Sequence, residues 1–141
     1  MVVEALLTMV SIRGVHDEVL LPGNISVERE GRLEDIHGRI ESRVYYLEIN
    51  DVFDVAAITG AYIAMGQAFV DCNKRTAFAS ADVILAIAGA PLEFSVPPDQ
   101  DPLFSSLIQC AQGLRNETHL ANYLRGRYMK AAGHEIPGCE T

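Results

Sequence analysis

The chain has 141 residues, 49% of them hydrophobic, and carries 11 Lys and Arg against 19 Asp and Glu, a formal net charge of −8. That length suits one domain spanning residues 1–141 with a core of its own, and the apolar content excludes disorder over most of it. The acidic balance excludes a general nucleic-acid binder, which needs a field of Lys and Arg to displace counterions from phosphates, so any anion site must be local.

In chain order, Ala5, Leu6, Met9 and Val10 have helical spacing and predict a first helix reaching about Leu20, with Gly14 as a candidate break. The opening MVVEALLTMV lacks the basic start and small-residue cleavage site of a secretory signal. Leu21 to Asn24 reads as a turn, because Pro22 fixes one dihedral and Gly23 or Asn24 tolerates the positive one that follows. A loop is expected from there to about Gly31. Leu33, Ile36, Ile40, Val44 and Leu47 then repeat every three or four residues and predict an amphipathic helix facing a core.

Val52 to Met65 and Thr76 to Ala90 are apolar almost all round, which predicts two buried helices at the centre of a bundle. The stretch Val52 to Gly66 is interrupted by Asp54 and Thr59 and falls short of the roughly 20 residues that span a bilayer. A cytoplasmic protein without a membrane helix is expected. Gly89 and Pro91 end the second buried helix, and LEFSV reads as either a short strand or an extended link. Leu103, Phe104, Leu107, Ile108, Ala111 and Leu114 mark a further helix, and Asn116 has the chemistry to cap a last one carrying Leu120, Tyr123, Leu124 and Tyr128. The tail from Gly133 is expected to be loose. The fold class is all-α, a compact domain of about six helices. Three scattered cysteines, Cys72, Cys110 and Cys139, have no CxxC spacing and read as reduced thiols.

Between the two buried helices, residues 66 to 78 read GQAFVDCNKRTAF, so Asp71, Asn73, Lys74 and Arg75 crowd into one turn. Asn73 has the side chain to cap a helix starting at Lys74. The remaining first-turn amides, the positive end of the helix dipole and two cations would make an anion site suited to phosphate. Asp71 is a candidate magnesium ligand, since a polyphosphate arrives with a metal held by one or two carboxylates. Phe69 reads as a core anchor for the loop. The same residues also fit a plain helix cap with solvated charges, and the spacing alone leaves both readings open.

QAFVDCNKRTA resembles the signature of the Fic/Doc family, H-x-F-x-[DE]-[GA]-N-[GK]-R, and its Lys and following Arg-Thr-Ala resemble the Doc branch, the toxins of Phd–Doc addiction modules. HDEVL from His16, LPG from Leu21 and GRIESRVYYLEINDVFDVAA from Gly38 extend the likeness over most of the chain. The resemblance implies a Fic-type helical domain in which Asp71 binds Mg, while Asn73, Lys74, Arg75 and Thr76 hold the phosphates of ATP. Lys74, where other members have Gly, implies transfer of the γ-phosphoryl rather than AMP. Phe78 stands where many members have a second Arg, which again disfavours AMP transfer. The implied acceptor is a threonine hydroxyl of elongation factor Tu, with arrest of translation. The implied partner is a Phd-like antitoxin whose C-terminal helix lies in an apolar groove.

Gln67 departs from the family at the position of its general base. A carboxamide has no usable basicity near neutral pH where an imidazole does, so this chain is expected to be catalytically impaired. His16, His37, His119 and His134 are expected to be structural or surface residues rather than replacement bases. Cys72 replaces the small Gly or Ala of the motif. Ser26, Glu30 and Gly31 match a self-inhibition pattern, S-x-x-x-E-[GN], whose Glu needs the second Arg, so the match is expected to be fortuitous. The alternatives are an AMP transferase and a non-catalytic nucleotide- or partner-binding module.

Overall fold

The computed structural model describes residues 11–49, 51–131 and 133. Among these lie six α-helices and no strand: α1 (Ile12–Val19), α2 (Arg32–Tyr46), α3 (Val52–Gly66), α4 (Asn73–Ile87), α5 (Pro102–Ala111) and α6 (Glu117–Ala131), with a 3-10 turn at Pro98–Gln100 before α5. This is the expected all-α class. No described helix is long and apolar enough to cross a membrane.

α3 is the central helix and packs against α2, α4, α5 and α6, while α1 lies on α4. The sequence explains this placement. α3 has apolar or small residues on every face, and its residues Val55 to Ala61 are all buried. Small residues let it approach α4 closely: a Cβ on Gly60 would stand 3.5 Å from the Ala77 carbonyl and 3.6 Å from the Ala81 Cβ. On α2, Leu33, Ile36, Ile40 and Val44 are buried as their spacing predicts. Leu47 is 54% exposed, because the helix has ended one residue earlier and the periodicity no longer points it inward.

Several expectations are corrected. Gly14 does not break α1; it lies inside the helix, and its amide is the one capped by Ser11 Oγ at 3.1 Å. The stretch Ala5 to Val10 lies outside the described residues, as do His134, Cys139 and the rest of the tail after Gly133. LEFSV is an extended link, not a strand. α4 starts at Asn73, three residues earlier than the apolar run, so Asn73, Lys74 and Arg75 form its first turn. Asn116 caps α6 as predicted, its Oδ1 accepting from the His119 amide at 3.0 Å.

The far end of the bundle is tied by a buried ion pair. Asp101 caps α5 through the Leu103 amide at 2.9 Å and accepts two bonds from Arg127, at 2.6 and 2.9 Å. Arg127 also donates to the Glu93 carbonyl at 2.7 Å, which pins the extended link to α6. These bonds hold the guanidinium in its charged form beyond its ordinary range.

Candidate functional site

The loop joining α3 to α4 carries every residue of the polar cluster. α3 ends at Gly66, and Gln67 takes left-handed backbone angles, φ 49° and ψ 52°. That conformation suits Gly and costs an L residue about 1–2 kcal/mol, so something must hold it. Arginines do: Arg29 donates to the carbonyls of Gln67 at 2.7 Å and Phe69 at 3.1 Å, and Arg32 to that of Gly66 at 3.3 Å. With its backbone fixed this way, the Gln67 side chain is left exposed. A side chain at Gly66 would require Ile36 to move, because a Cβ there would stand 2.2 Å from that buried side chain.

A strap formed by residues 20–31 runs alongside this loop. Glu28 and Phe69 make an isolated antiparallel bridge, with Arg29 N bonded to Ala68 O at 2.6 Å and Val70 N to Val27 O at 2.9 Å. Further along, the Ile25 amide donates to Asp71 Oδ2 at 2.8 Å, and the Cys72 thiol donates to Asn24 Oδ1 at 3.1 Å. The strap is fastened to α1 by Arg13, whose Nη2 donates to Glu28 Oε1 at 2.8 Å. That pairing holds the Glu28 carboxyl below its ordinary pKa and raises that of Arg13. Ser26, Glu30 and Gly31 belong to this strap rather than to a helix, and no ion pair joins Glu30 to Arg75 among the described residues.

Asn73 does not cap α4. Its side chain reaches back across the loop, accepting from the Phe69 amide at 3.0 Å and donating to the Phe69 carbonyl at 2.8 Å. The N-cap position belongs to Cys72, which is left-handed at φ 66° and offers no side-chain bond to the helix. The Cys72 carbonyl instead accepts from the Thr76 amide at 2.9 Å and from the Thr76 hydroxyl at 2.7 Å. Thr76 is fully buried, so its side chain stiffens the helix start and is closed to any ligand, contrary to the sequence expectation.

The outcome is a helix N-terminus whose first amides have no intrahelical acceptor and no side-chain cap. Lys74 and Arg75 stand half-buried beside it, and among the described residues no carboxylate pairs with either. Cations at the positive end of a helix dipole are unfavourable by about 0.3–1 kcal/mol each unless an anion joins them. The arrangement therefore favours an anion, and the plain capped turn that the sequence left open is not what forms. Asp71 is half-buried, with one carboxylate oxygen taken by Ile25 and the other without a protein partner among the described residues. No group of three or more His, Cys, Asp or Glu among those residues could hold a metal unaided. A single carboxylate fits an ion that brings most of its oxygen ligands as phosphate and water, as magnesium does.

The structure brings Gln67, Asp71, Asn73, Lys74 and Arg75 onto one loop and helix start, and turns Thr76 inward. Phe69 is the buried anchor that its spacing predicts, 1% exposed. Phe78 is buried against Phe94 and Phe104, with ring centroids 5.4 and 6.4 Å away. Arg29 and Arg32 were not legible as site residues, since helical periodicity carries no signal for a two-residue β contact between distant segments. Among the described residues no histidine stands free beside Gln67: His16 is buried with Nε2 bonded to the Asp71 carbonyl, His37 faces Glu41 on α2, and His119 lies exposed on α6. A separate groove of about 940 Å³ runs between α2 and α3 from Gly66 to Leu47, lined by Ile36, Tyr46, Tyr62 and Met65 together with Glu34, Asp35, Arg39 and Arg43.

No protein-family model matches the chain. It is similar to the protein kinase Doc of Escherichia phage P1, with 36% identity over 111 residues, 79% of this chain and 82% of the phage protein.

Proposed function

The chain belongs to the Doc family of protein kinases, and from that premise we propose a toxin fold that binds ATP and magnesium at the start of α4 and has lost its general base. The observation that carries the reading is the uncapped start of α4, flanked by one carboxylate and by two cations that pair with no carboxylate among the described residues, and with no acidic residue in its first turn. The first-turn amides, Lys74 and Arg75 would take the polyphosphate, with Asn73 fixing the loop that presents it. Asp71 would hold magnesium, which when bound supplies neutralisation of phosphate charge.

In the reaction, an acceptor hydroxyl oxygen bonds to the γ-phosphorus as the bond to the β-bridging oxygen breaks, ADP leaves and the hydroxyl proton is released. The protein's part is positioning and charge stabilisation, which this helix start is built to provide. Gln67 stands at the mouth of the site. Its carboxamide can orient a hydroxyl by hydrogen bonding but cannot take its proton, so the transfer should be slower by about 10²–10⁴-fold than with an imidazole. Phe78, buried among aromatic rings where many members have a second Arg, supports phosphoryl rather than AMP transfer, because the cation associated with AMP transfer is absent from that place.

The acceptor is taken to be a threonine of elongation factor Tu, and the partner an antitoxin helix, for which the groove between α2 and α3 has apolar side chains among its lining. The test is the Gln67→His change. Its backbone angles are held by Arg29 rather than by the side chain, so an imidazole should take the same place. Elongation factor Tu incubated with ATP, Mg²⁺ and the Gln67→His protein is expected to gain one phosphoryl group by intact mass, about 10²–10⁴-fold faster than with the unsubstituted chain. A gain of AMP, or no gain from a folded variant, would overturn the kinase reading.

A further inference from the structure

Among the described residues, His16 is the buried imidazole that reaches the loop from a different helix. It lies on α1, 1% exposed, with its ring stacked on Phe69 at a centroid distance of 3.6 Å and an interplanar angle of 5°. Its Nε2 is 2.8 Å from the backbone carbonyl of Asp71. A carbonyl oxygen only accepts, so Nε2 carries the proton and donates. Nδ1 is 3.8 Å from Asp17 Oδ1, beyond hydrogen-bond reach.

The loop from Phe69 to Asn73 is tied at several points, and three of these ties fix different parts of it. The Asn73 side chain closes its two ends through the Phe69 amide and carbonyl. The Ile25 amide takes one carboxylate oxygen of Asp71. His16 takes the Asp71 carbonyl and so fixes the peptide plane between Asp71 and the left-handed Cys72. No other donor among the described residues reaches that carbonyl. Without that bond the ψ of Asp71 and the φ of Cys72 are free to change, and with them the placement of Asp71 relative to the first turn of α4. The stack on Phe69 holds the imidazole at the angle this bond needs, and burial keeps water from competing for the carbonyl.

We propose that His16 is a positioning residue for the metal: by donating from Nε2 to the Asp71 carbonyl it aims the Asp71 carboxylate at the polyphosphate site, and it acts on magnesium only through Asp71. This rests on the reading of Asp71 as the magnesium ligand. Outer residues that orient a metal ligand typically control affinity by about 10–100-fold.

The test compares the affinity for Mg²⁺ATP with that for ATP in EDTA, measured by titration calorimetry on the full chain; the ratio reports the contribution of the metal. Asp71→Asn is the reference that removes the ligand. His16→Phe keeps a stacked ring and loses the donor, and is expected to lower the ratio by about tenfold or more, while binding of metal-free ATP stays within about threefold. His16→Gln, whose carboxamide N–H can reach the same carbonyl, is expected to restore most of the ratio. A merely structural role would lower the melting temperature of His16→Phe and leave the ratio unchanged; that result, with Asp71→Asn still losing the ratio, overturns this inference and leaves the nucleotide reading standing. If Asp71→Asn keeps the ratio, the reading of Asp71 as ligand fails and the inference fails with it. Should His16→Phe not fold, the imidazole ¹⁵N resonances of the unsubstituted protein serve. The Nε2–H signal of His16 should shift on adding Mg²⁺ATP and not on adding ATP with EDTA, and an unmoved signal would refute the coupling.

Discussion

Two of the described helices start without a side-chain cap, and their first turns carry opposite charge. α2 follows Gly31, left-handed at φ 78°, and α4 follows Cys72, left-handed at φ 66°. The first turn of α2 carries Glu34 and Asp35, which answer the positive end of the dipole with charges of the chain's own. The first turn of α4 carries Lys74 and Arg75, which make that end more positive still. The other four starts have side-chain caps: Ser11 on α1, Asp51 on α3, Asp101 on α5 and Asn116 on α6. A helix start left both uncapped and cationic gives up stability that a bound anion would return.

The largest effect expected from breaking this contrast comes from giving α4 the charge pattern of α2. In Lys74→Glu, stability in urea should rise by about 0.5–1 kcal/mol, because an anion replaces a cation at the dipole's positive end. Binding of Mg²⁺ATP should fall by about 100-fold, since one charge-assisted bond is lost and a repulsion gained. Equilibrium unfolding and calorimetry measure the two quantities independently. The opposite signs are the discriminating feature: a loss in both would mean that Lys74 is held by the fold and is not waiting for a ligand.

How much of this contrast could be read from the sequence depends on the range of the interactions concerned. The six helices and the buried pair α3 and α4 follow from local periodicity, and Ile36, Ile40, Val55 and Ile84 are buried where their spacing puts them. The membership of Asp71, Asn73, Lys74 and Arg75 in one site follows from their adjacency. What each does locally did not follow. Asn73 looked like a cap because caps are local, yet its partner is Phe69 across the loop, and Thr76, assigned to the phosphates only through the resemblance, is buried. The strap from residue 20 to 31, with Arg29 on the Gln67 and Phe69 carbonyls and Ile25 on Asp71, rests on contacts between segments about 40 residues apart in sequence. HDEVL gave His16 as part of the resemblance, but only packing reveals that it faces Phe69.

A smaller effect sharpens the same comparison by making the two uncapped starts chemically alike. Cys72→Gly gives α4 the residue that precedes α2. It relieves about 1–2 kcal/mol of left-handed strain and incurs some of it back as unfolded-chain entropy, for a net gain of about 0.5–1 kcal/mol. The thiol contributes only one exposed bond to Asn24. Affinity for Mg²⁺ATP should therefore be unchanged in calorimetry, while the urea midpoint rises. A fall in affinity would mean that the thiol itself contributes to the site.

The smallest effect concerns the carboxylates Glu28 and Glu34 near the start of α2. Arg13 bonds Glu28 and also lies 3.7 Å from Glu34, so the strap, α1 and α2 share one exposed charge cluster. The Glu28 hydrogen bond from Arg13 depresses the folded-state pKa of the carboxyl below its ordinary value of 4.5. A depressed acid contributes stability that is fully present above the unfolded pKa and is lost as pH falls through the folded one. Glu28→Gln should accordingly melt slightly below the unsubstituted protein at pH 7, and the gap should close as pH falls below 4.5, where the native carboxyl takes up its proton. Because the cluster is exposed, added salt should narrow the gap at pH 7 as well. A gap that survives both low pH and high salt would place the role of Glu28 in packing of the strap and not in its charge.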